Sequence, residues 1–255
     1  MSLITLENLA IGYKNKVVKS GLTAEIRSGQ LTALIGTNGV GKSTLLRTIA
    51  ALQPCKAGHV TFKADGGHAI NLDTLTLGEL ARMVSVVLTE RPDARLLTVR
   101  QVVAMGRLPY TGFFGRLTTA DEMVVDKTLQ VTELTHFANR QFDALSDGER
   151  QKVIIAKALA QQTPIIILDE PTAYLDYPSK VQTMVMLRRL ANQLDKIVLL
   201  STHDLELAFK HADRLLSLRH NLAEYPKERM RDYIRDLNGE CHCMSINDQS
   251  ILEAK

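Results

Sequence analysis

The chain has 255 residues, enough for one large domain or two small ones. Apolar residues make up 45% and charged residues 23%, the balance of an ordinary soluble globular protein. The net charge of +3 is too small to point to a nucleic-acid partner, and no stretch approaches the roughly 20 apolar residues that a membrane-spanning helix needs.

The N-terminal Met1–Thr5 has no basic segment leading into an apolar core, so no secretory signal is expected. Leu3–Ile11 and Leu22–Ile26 alternate apolar and polar residues, as half-buried strands do. Leu31–Ile35 is nearly continuous in apolar character, which predicts a strand covered on both faces. A helix is expected over Ser43–Leu52, stopped by Pro54. His59–Lys63 and His68–Leu72 flank Asp65-Gly66, a hairpin signal, so antiparallel strands should lie beside a parallel core. Val84–Leu88 reads as another core strand. From about Leu97 to Ala160 the pattern is helical, most clearly over Ala120–Thr132 and Glu149–Gln161. Strands return at Ile165–Leu168 and Ile197–Leu200, separated by a helix over Ser179–Leu194. This order predicts an α/β core with a mixed sheet and a helical subdomain inserted at about residues 90–161. The tail from residue 221 carries Met230, Tyr233, Ile234 and Leu237 at helical spacing, with Gly239 as a stop, and predicts one short helix. Three cysteines cannot form a paired framework, which predicts a reducing, cytoplasmic setting. Cys241-His242-Cys243 lacks a second cluster to complete four metal ligands and reads as incidental.

Three segments carry chemistry. Gly36-Thr37-Asn38-Gly39-Val40-Gly41-Lys42-Ser43 fits the phosphate-loop pattern. Its glycines let the backbone fold tightly, so that N–H groups face phosphate oxygens at a helix start. In this pattern Lys42 is expected to reach the β- and γ-phosphates and the Ser43 hydroxyl to bind Mg²⁺. Ile165–Leu168 ends in Asp169 and Glu170, two carboxylates at the carboxyl end of a core strand, where α/β sheets place ligands. Asp169 can hold Mg²⁺ through water, and Glu170 can polarise an attacking water. Ile197–Leu200 runs into Ser201-Thr202-His203-Asp204. His203 is either structural or a contact to the γ-phosphate and attacking water. Leu145-Ser146-Asp147-Gly148-Glu149 has two readings. Ser146 and Glu149 form a capping box, and a helix start with Gly148 exposing N–H groups is also an anion site.

Taken together and in this order, these segments resemble the ATP-binding subunits of ABC transporters over roughly residues 1–218. The resemblance implies a P-loop NTPase fold. It matches Tyr13 to the aromatic that stacks on adenine and Gly36–Thr44 to the phosphate loop, with Gly36, Asn38, Gly39, Gly41, Lys42, Ser43 and Thr44 binding nucleotide. Leu145–Glu149 matches the signature motif, with Ser146 and Gly148 as its nucleotide contacts. Ala173–Asp176 matches the loop that reaches across the dimer, and His203 the switch histidine. It implies a head-to-tail dimer with a second copy, each ATP lying between one phosphate loop and the partner's signature. It also implies a polytopic membrane permease, a substrate-binding protein reached indirectly, and a peripheral place on the cytoplasmic face of the inner membrane. Thr98–Arg100 followed by Met105–Tyr110 is similar to importers of iron–siderophore complexes, haem and cobalamin.

The sequence departs from the family at three places. Asp147 and Glu149 stand where the common signature has glycine and glutamine. Thr89 stands where a glutamine reaches the metal and the attacking water, so Thr89 is expected to contact Mg²⁺ through water or to leave that task to Glu90. The tail after Leu218 follows no family ending. The segment Thr89–Leu117, with Phe113 and Phe114, reads either as subdomain packing or as a groove for a permease helix. A soluble ABC ATPase acting on DNA or ribosomes is not supported, because the charge is near neutral, there is one phosphate loop and no coiled-coil heptads appear. A non-hydrolysing module has no use for Glu170 and His203, and a small-molecule kinase has none for Leu145–Glu149.

Overall fold

The computed structural model describes residues 1–89, 94, 96–112, 115–226, 228, 233 and 235. Glu90, Phe113, Phe114, the Cys241–Cys243 cluster, and Met230, Ile234 and Leu237 of the expected tail helix lie outside them.

Strands β1 (Leu3–Tyr13), β2 (Lys16–Arg27), β4 (Ala57–Lys63) and β5 (Ala69–Asn71) form an antiparallel sheet in the order β2-β1-β4-β5. Strands β3 (Gln30–Ile35), β6 (Val84–Val87), β7 (Ile165–Leu168), β8 (Ile197–Thr202), β9 (Arg214–Ser217) and β10 (Ala223–Glu224) form the second sheet, in the order β10-β9-β3-β8-β7-β6. Its pairs are parallel except for β10 on β9. Among the described residues the sheets are accompanied by helices α1 (Lys42–Ile49), α2 (Leu77–Met83), α3 (Val99–Ala104), α4 (Thr119–Val131), α5 (Asp147–Ala160), α6 (Tyr177–Gln193) and α7 (Leu205–His211).

The continuous apolar runs explain how the two layers are joined. Side chains on a strand alternate between faces. Ile166, Leu168, Val198 and Leu200 enter a core shared with α3–α7. Ile165, Ile167, Ile197 and Leu199 enter a second core between the parallel sheet, α1 and the antiparallel sheet. Both faces are therefore buried, as a parallel core requires.

Helices α3, α4 and α5 lie between β6 and β7 in sequence and pack on one another. Arg107 locks this insertion. Its guanidinium donates to Asp121 Oδ1 at 2.9 Å, to the Ala160 carbonyl at 2.8 Å and to Gln162 Oε1 at 3.0 Å. The hydroxyl and N–H of Thr118, and then Arg107, hold the Asp121 carboxyl down to about 2. The Met105–Tyr110 segment that carries the importer resemblance thus has an internal packing role. Past Asn221 the chain still joins the domain: β10 extends the sheet, and Tyr233 is buried against Phe209 and Tyr225.

Candidate functional site at the carboxyl edge of the parallel sheet

Strands β3, β7 and β8 end side by side, with Ile35 opposite Thr202 and Leu168 opposite Leu200. Everything that follows them in sequence therefore emerges at one edge. After β3 comes the phosphate loop. Gly41 caps α1 with φ of 108°, and a Cβ there would lie 2.9 Å from Val18 Cγ1, so only glycine fits. The Lys42 ammonium folds back over the loop and donates to the carbonyls of Gly36 at 2.9 Å and Thr37 at 3.3 Å. Burial pushes the Lys42 ammonium below its usual range, and Glu170 and Asp169 pull it back up. The first turn of α1 carries no acidic residue, which leaves its N–H groups and positive dipole end for an anion.

After β7, Asp169 and Glu170 face this loop. Ser43 Oγ donates to Asp169 Oδ1 at 3.0 Å, and Glu170 Oε1 lies 3.8 Å from Lys42 Nζ. Glu170 Oε2 is 2.7 Å from His203 Nδ1, which arrives from the end of β8. Thr89, at the end of β6, donates its hydroxyl to the Asp169 carbonyl at 2.9 Å. Ser201 was given no role by the sequence. Its buried hydroxyl donates to Asp169 Oδ1 at 2.7 Å and accepts from the Glu170 N–H at 2.9 Å. Only the register between β7 and β8 reveals it.

Tyr13 joins from the antiparallel sheet. Its phenol oxygen accepts from the Thr44 hydroxyl at 2.6 Å, and the residue is 46% exposed. It lines an open cleft of about 690 Å³ with Gly12, Lys16, Gln53 and Lys56. Ser146 and Gly148 lie elsewhere, at the start of α5. The Ser146 N–H and hydroxyl both donate to Glu149 Oε2, at 2.8 and 2.7 Å, in the expected capping box. Gly148 packs so closely on α6 that a Cβ would come 2.6 Å from Ser179 Oγ.

A buried ammonium, a free helix N-terminus, two carboxylates and a histidine at one sheet edge make a site for a polyphosphate. Residues 20–173, more than half of the chain, match the profile of the ABC transporter family. The chain belongs to that family.

As an ABC cassette it binds and hydrolyses ATP. It is 37% identical over 245 residues to the ferric enterobactin transport ATP-binding protein FepC of Escherichia coli strain K12, covering 95% of this chain and 89% of that one. It is 35% identical over 220 residues to the iron(3+)-hydroxamate import ATP-binding protein FhuC of Bacillus subtilis strain 168, covering 86% and 80%. Among solved structures it resembles a dimeric ATP-binding cassette in a post-hydrolysis state bound to ADP and Pi. That match has a TM-score of 0.68 and 28% identity, and covers 84% of this chain and 93% of that one. Among the described residues, no helix is long and apolar enough to cross a membrane.

Proposed function

We propose that this ABC cassette works as a head-to-tail dimer that powers import of a ferric siderophore or a related chelate such as haem or cobalamin. It docks from the cytoplasmic side on a polytopic permease that a substrate-binding protein feeds. The observation that carries the catalytic reading is the meeting of Lys42, Ser43, Asp169, Glu170 and His203 at one sheet edge. The substrate class is favoured by the relatives FepC and FhuC.

In this reading Tyr13 stacks on adenine in the cleft beside the loop. Gly36, Asn38, Gly39, Gly41 and Thr44 turn backbone and side-chain donors to the phosphates, and Lys42 places its charge on the β- and γ-phosphates. Glu170 accepts a proton from the attacking water. His203, 2.7 Å from Glu170, holds that carboxylate and meets the γ-phosphate. The water oxygen bonds to the γ-phosphorus, the bond to the β-γ bridging oxygen breaks, and ADP and phosphate leave.

The donor set fits Mg²⁺. Ser43 Oγ and Asp169 Oδ1 are hard oxygens 3.0 Å apart, and among the described residues no cluster of three or more His, Cys, Asp or Glu could cage a metal. A site completed by phosphate and water is the one magnesium prefers. Ser43 and Asp169 would hold the ion, which when bound neutralises charge on the phosphates. Thr89 commits its hydroxyl hydrogen to the Asp169 carbonyl. Its lone pairs would remain to accept from a water beside the ion, one of the two expectations for this position, the other being that Glu90 takes the task.

Coexpression with a permease and binding protein encoded nearby tests the partner assignment. The subunit should copurify with the permease, and uptake of a ferric siderophore should require ATP. A cassette that ignores the permease and hydrolyses ATP unchanged in its presence overturns the transport reading.

The signature carries a second expectation. Its Ser146 is engaged by the Glu149 carboxylate, and the Ser146 hydroxyl holds that carboxyl below its usual range, so it is ionised at neutral pH. A partner's γ-phosphate must approach this charge. On a Glu170→Gln background, Glu149→Gln should tighten the ATP-dependent dimer several-fold, more at low than at high ionic strength. Analytical ultracentrifugation reads this. Equal dimer affinities at every salt concentration would show that Glu149 does not oppose the second copy.

A further inference from the structure

The peptide group joining Asp169 to Glu170 is held at both ends by side chains, one from just past β6 and one from β8. Up to Asp169 the sheet is regular: Val87 is opposite Leu168, and the Asp169 N–H donates to the Val87 carbonyl at 2.8 Å. The chain then turns away, with Glu170 at φ of +50°. That left-handed conformation costs a residue with a Cβ about 1–2 kcal/mol. The carbonyl and N–H of the peptide between Asp169 and Glu170 are taken by two hydroxyls. Thr89 Oγ1, at the end of β6, donates to the Asp169 carbonyl at 2.9 Å. Ser201 Oγ, on β8, accepts from the Glu170 N–H at 2.9 Å and gives its own hydrogen to Asp169 Oδ1 at 2.7 Å. Ser201 is fully buried, so its three-way arrangement has no water to exchange with.

We propose that Thr89 and Ser201 are a pair of positioning residues that clamp the Asp169–Glu170 peptide and so fix the aim of both carboxylates. The inference rests on the assignment of Asp169 and Glu170 above. With the peptide plane fixed, the left-handed Glu170 backbone sends its side chain between Lys42 and His203. Ser201 meanwhile shares Asp169 Oδ1 with Ser43, which sets the rotamer of that carboxylate. Neither hydroxyl needs to touch nucleotide for this. Thr89 also stands where the chain leaves β6 for the inserted helices, so a shift of the insertion against the sheet would reach Glu170 through one hydrogen bond and one peptide plane.

Mutation separates aim from binding. Thr89→Val keeps the shape of the side chain and removes the donor, while Thr89→Ser keeps the donor. Ser201→Ala removes the other half of the clamp. The full chain should be assayed for kcat and KM, for Mg²⁺-free binding of a fluorescent ATP analogue, for melting temperature, and for ATP-bound dimer on size exclusion. Thr89→Val should lower kcat roughly 10- to 100-fold, the scale of a misplaced catalytic group. KM and analogue affinity should not move, and the ATP-bound dimer should accumulate. Thr89→Ser should recover most of the turnover, and Ser201→Ala should match Thr89→Val. If Ser201→Ala does not fold, the half-buried Thr89 pair is read with kcat against Mg²⁺ concentration: a loss that extra Mg²⁺ does not recover belongs to the clamp, and a loss that it does recover belongs to the water contact and overturns the clamp. Wild-type kcat in Thr89→Val overturns the clamp. So does a loss that Thr89→Ser fails to rescue, or one that tracks melting temperature and analogue affinity. Glu170→Gln runs alongside. If it also turns over normally, the site assignment has failed. If it traps the dimer while Thr89→Val turns over freely, the clamp alone has failed.

Discussion

Glu170→Gln is expected to bind ATP like the unaltered protein and to hydrolyse it roughly 100- to 10,000-fold more slowly, the usual worth of a general base. The substitution changes one atom. The main chain keeps its left-handed turn, because the Glu170 N–H still donates to Ser201 Oγ. The amide can still reach His203, but it cannot take a proton from water. Lys42 loses the Coulombic support of Glu170 and keeps its carbonyl partners at Gly36 and Thr37. The arriving phosphates replace that lost negative charge, so affinity should hold. The consequence is a trapped state. With Mg²⁺ and ATP at high protein concentration, the variant should elute as a dimer and the unaltered protein as a monomer. Single-turnover assays with radiolabelled ATP measure the chemical step directly. Turnover at the unaltered rate would move the general base to another residue, and a monomer that binds ATP without hydrolysing it would contradict the head-to-tail arrangement.

The sequence made some of this site legible and hid the rest for physical reasons. Strands β3, β7 and β8 are almost wholly buried, and burial on both faces writes itself as unbroken apolar runs. The phosphate loop is legible because its chemistry needs glycines, a lysine and a hydroxyl at fixed spacing within one segment. Helix α2 is not legible in the sequence because Leu80 is its one buried residue, so no periodicity marks it. Helix α7 and strands β9 and β10 are only 7, 4 and 2 residues long, too short to carry a pattern. Helix α1 ends sooner than Pro54 suggested, because Ala51 turns left-handed at φ of 52°. Ser201 was hidden for a different reason. Nothing local distinguishes it from Thr202. Its meaning lies in the alignment of β8 with β7, which sets Ser201 beside Asp169 across 32 positions of chain. The partner of Thr89 was hidden likewise, 80 positions away.

Lys42→Ala should abolish tight ATP binding, and hydrolysis with it, while leaving the fold standing. The ammonium is the buried cation between the phosphate loop and the two carboxylates. Hydrogen bonds to charged groups contribute about 1.5–3 kcal/mol each, and a lysine can offer one to each of two phosphates. Their loss, about 3–6 kcal/mol, corresponds to roughly a 100- to 20,000-fold weaker complex. Alanine also leaves Asp169 and Glu170 without that counter-charge, so the site turns repulsive toward a polyphosphate. Stability should respond differently. Burial is the dominant influence on the Lys42 pKa and opposes its charge, so folding already carries a desolvation cost that alanine removes. The carbonyls of Gly36 and Thr37 lose a donor but gain access to water in the emptied space. The nucleotide-free melting temperature should therefore stay close to that of the unaltered protein. The rise in melting temperature on adding ATP, which mass action guarantees for any ligand of the native state, should vanish. Differential scanning fluorimetry with and without ATP reads both quantities in one experiment. An ATP-induced shift that survives in Lys42→Ala would mean that the phosphates are held by something other than this lysine, and the assignment of Gly36–Thr44 as the nucleotide site would fall with it.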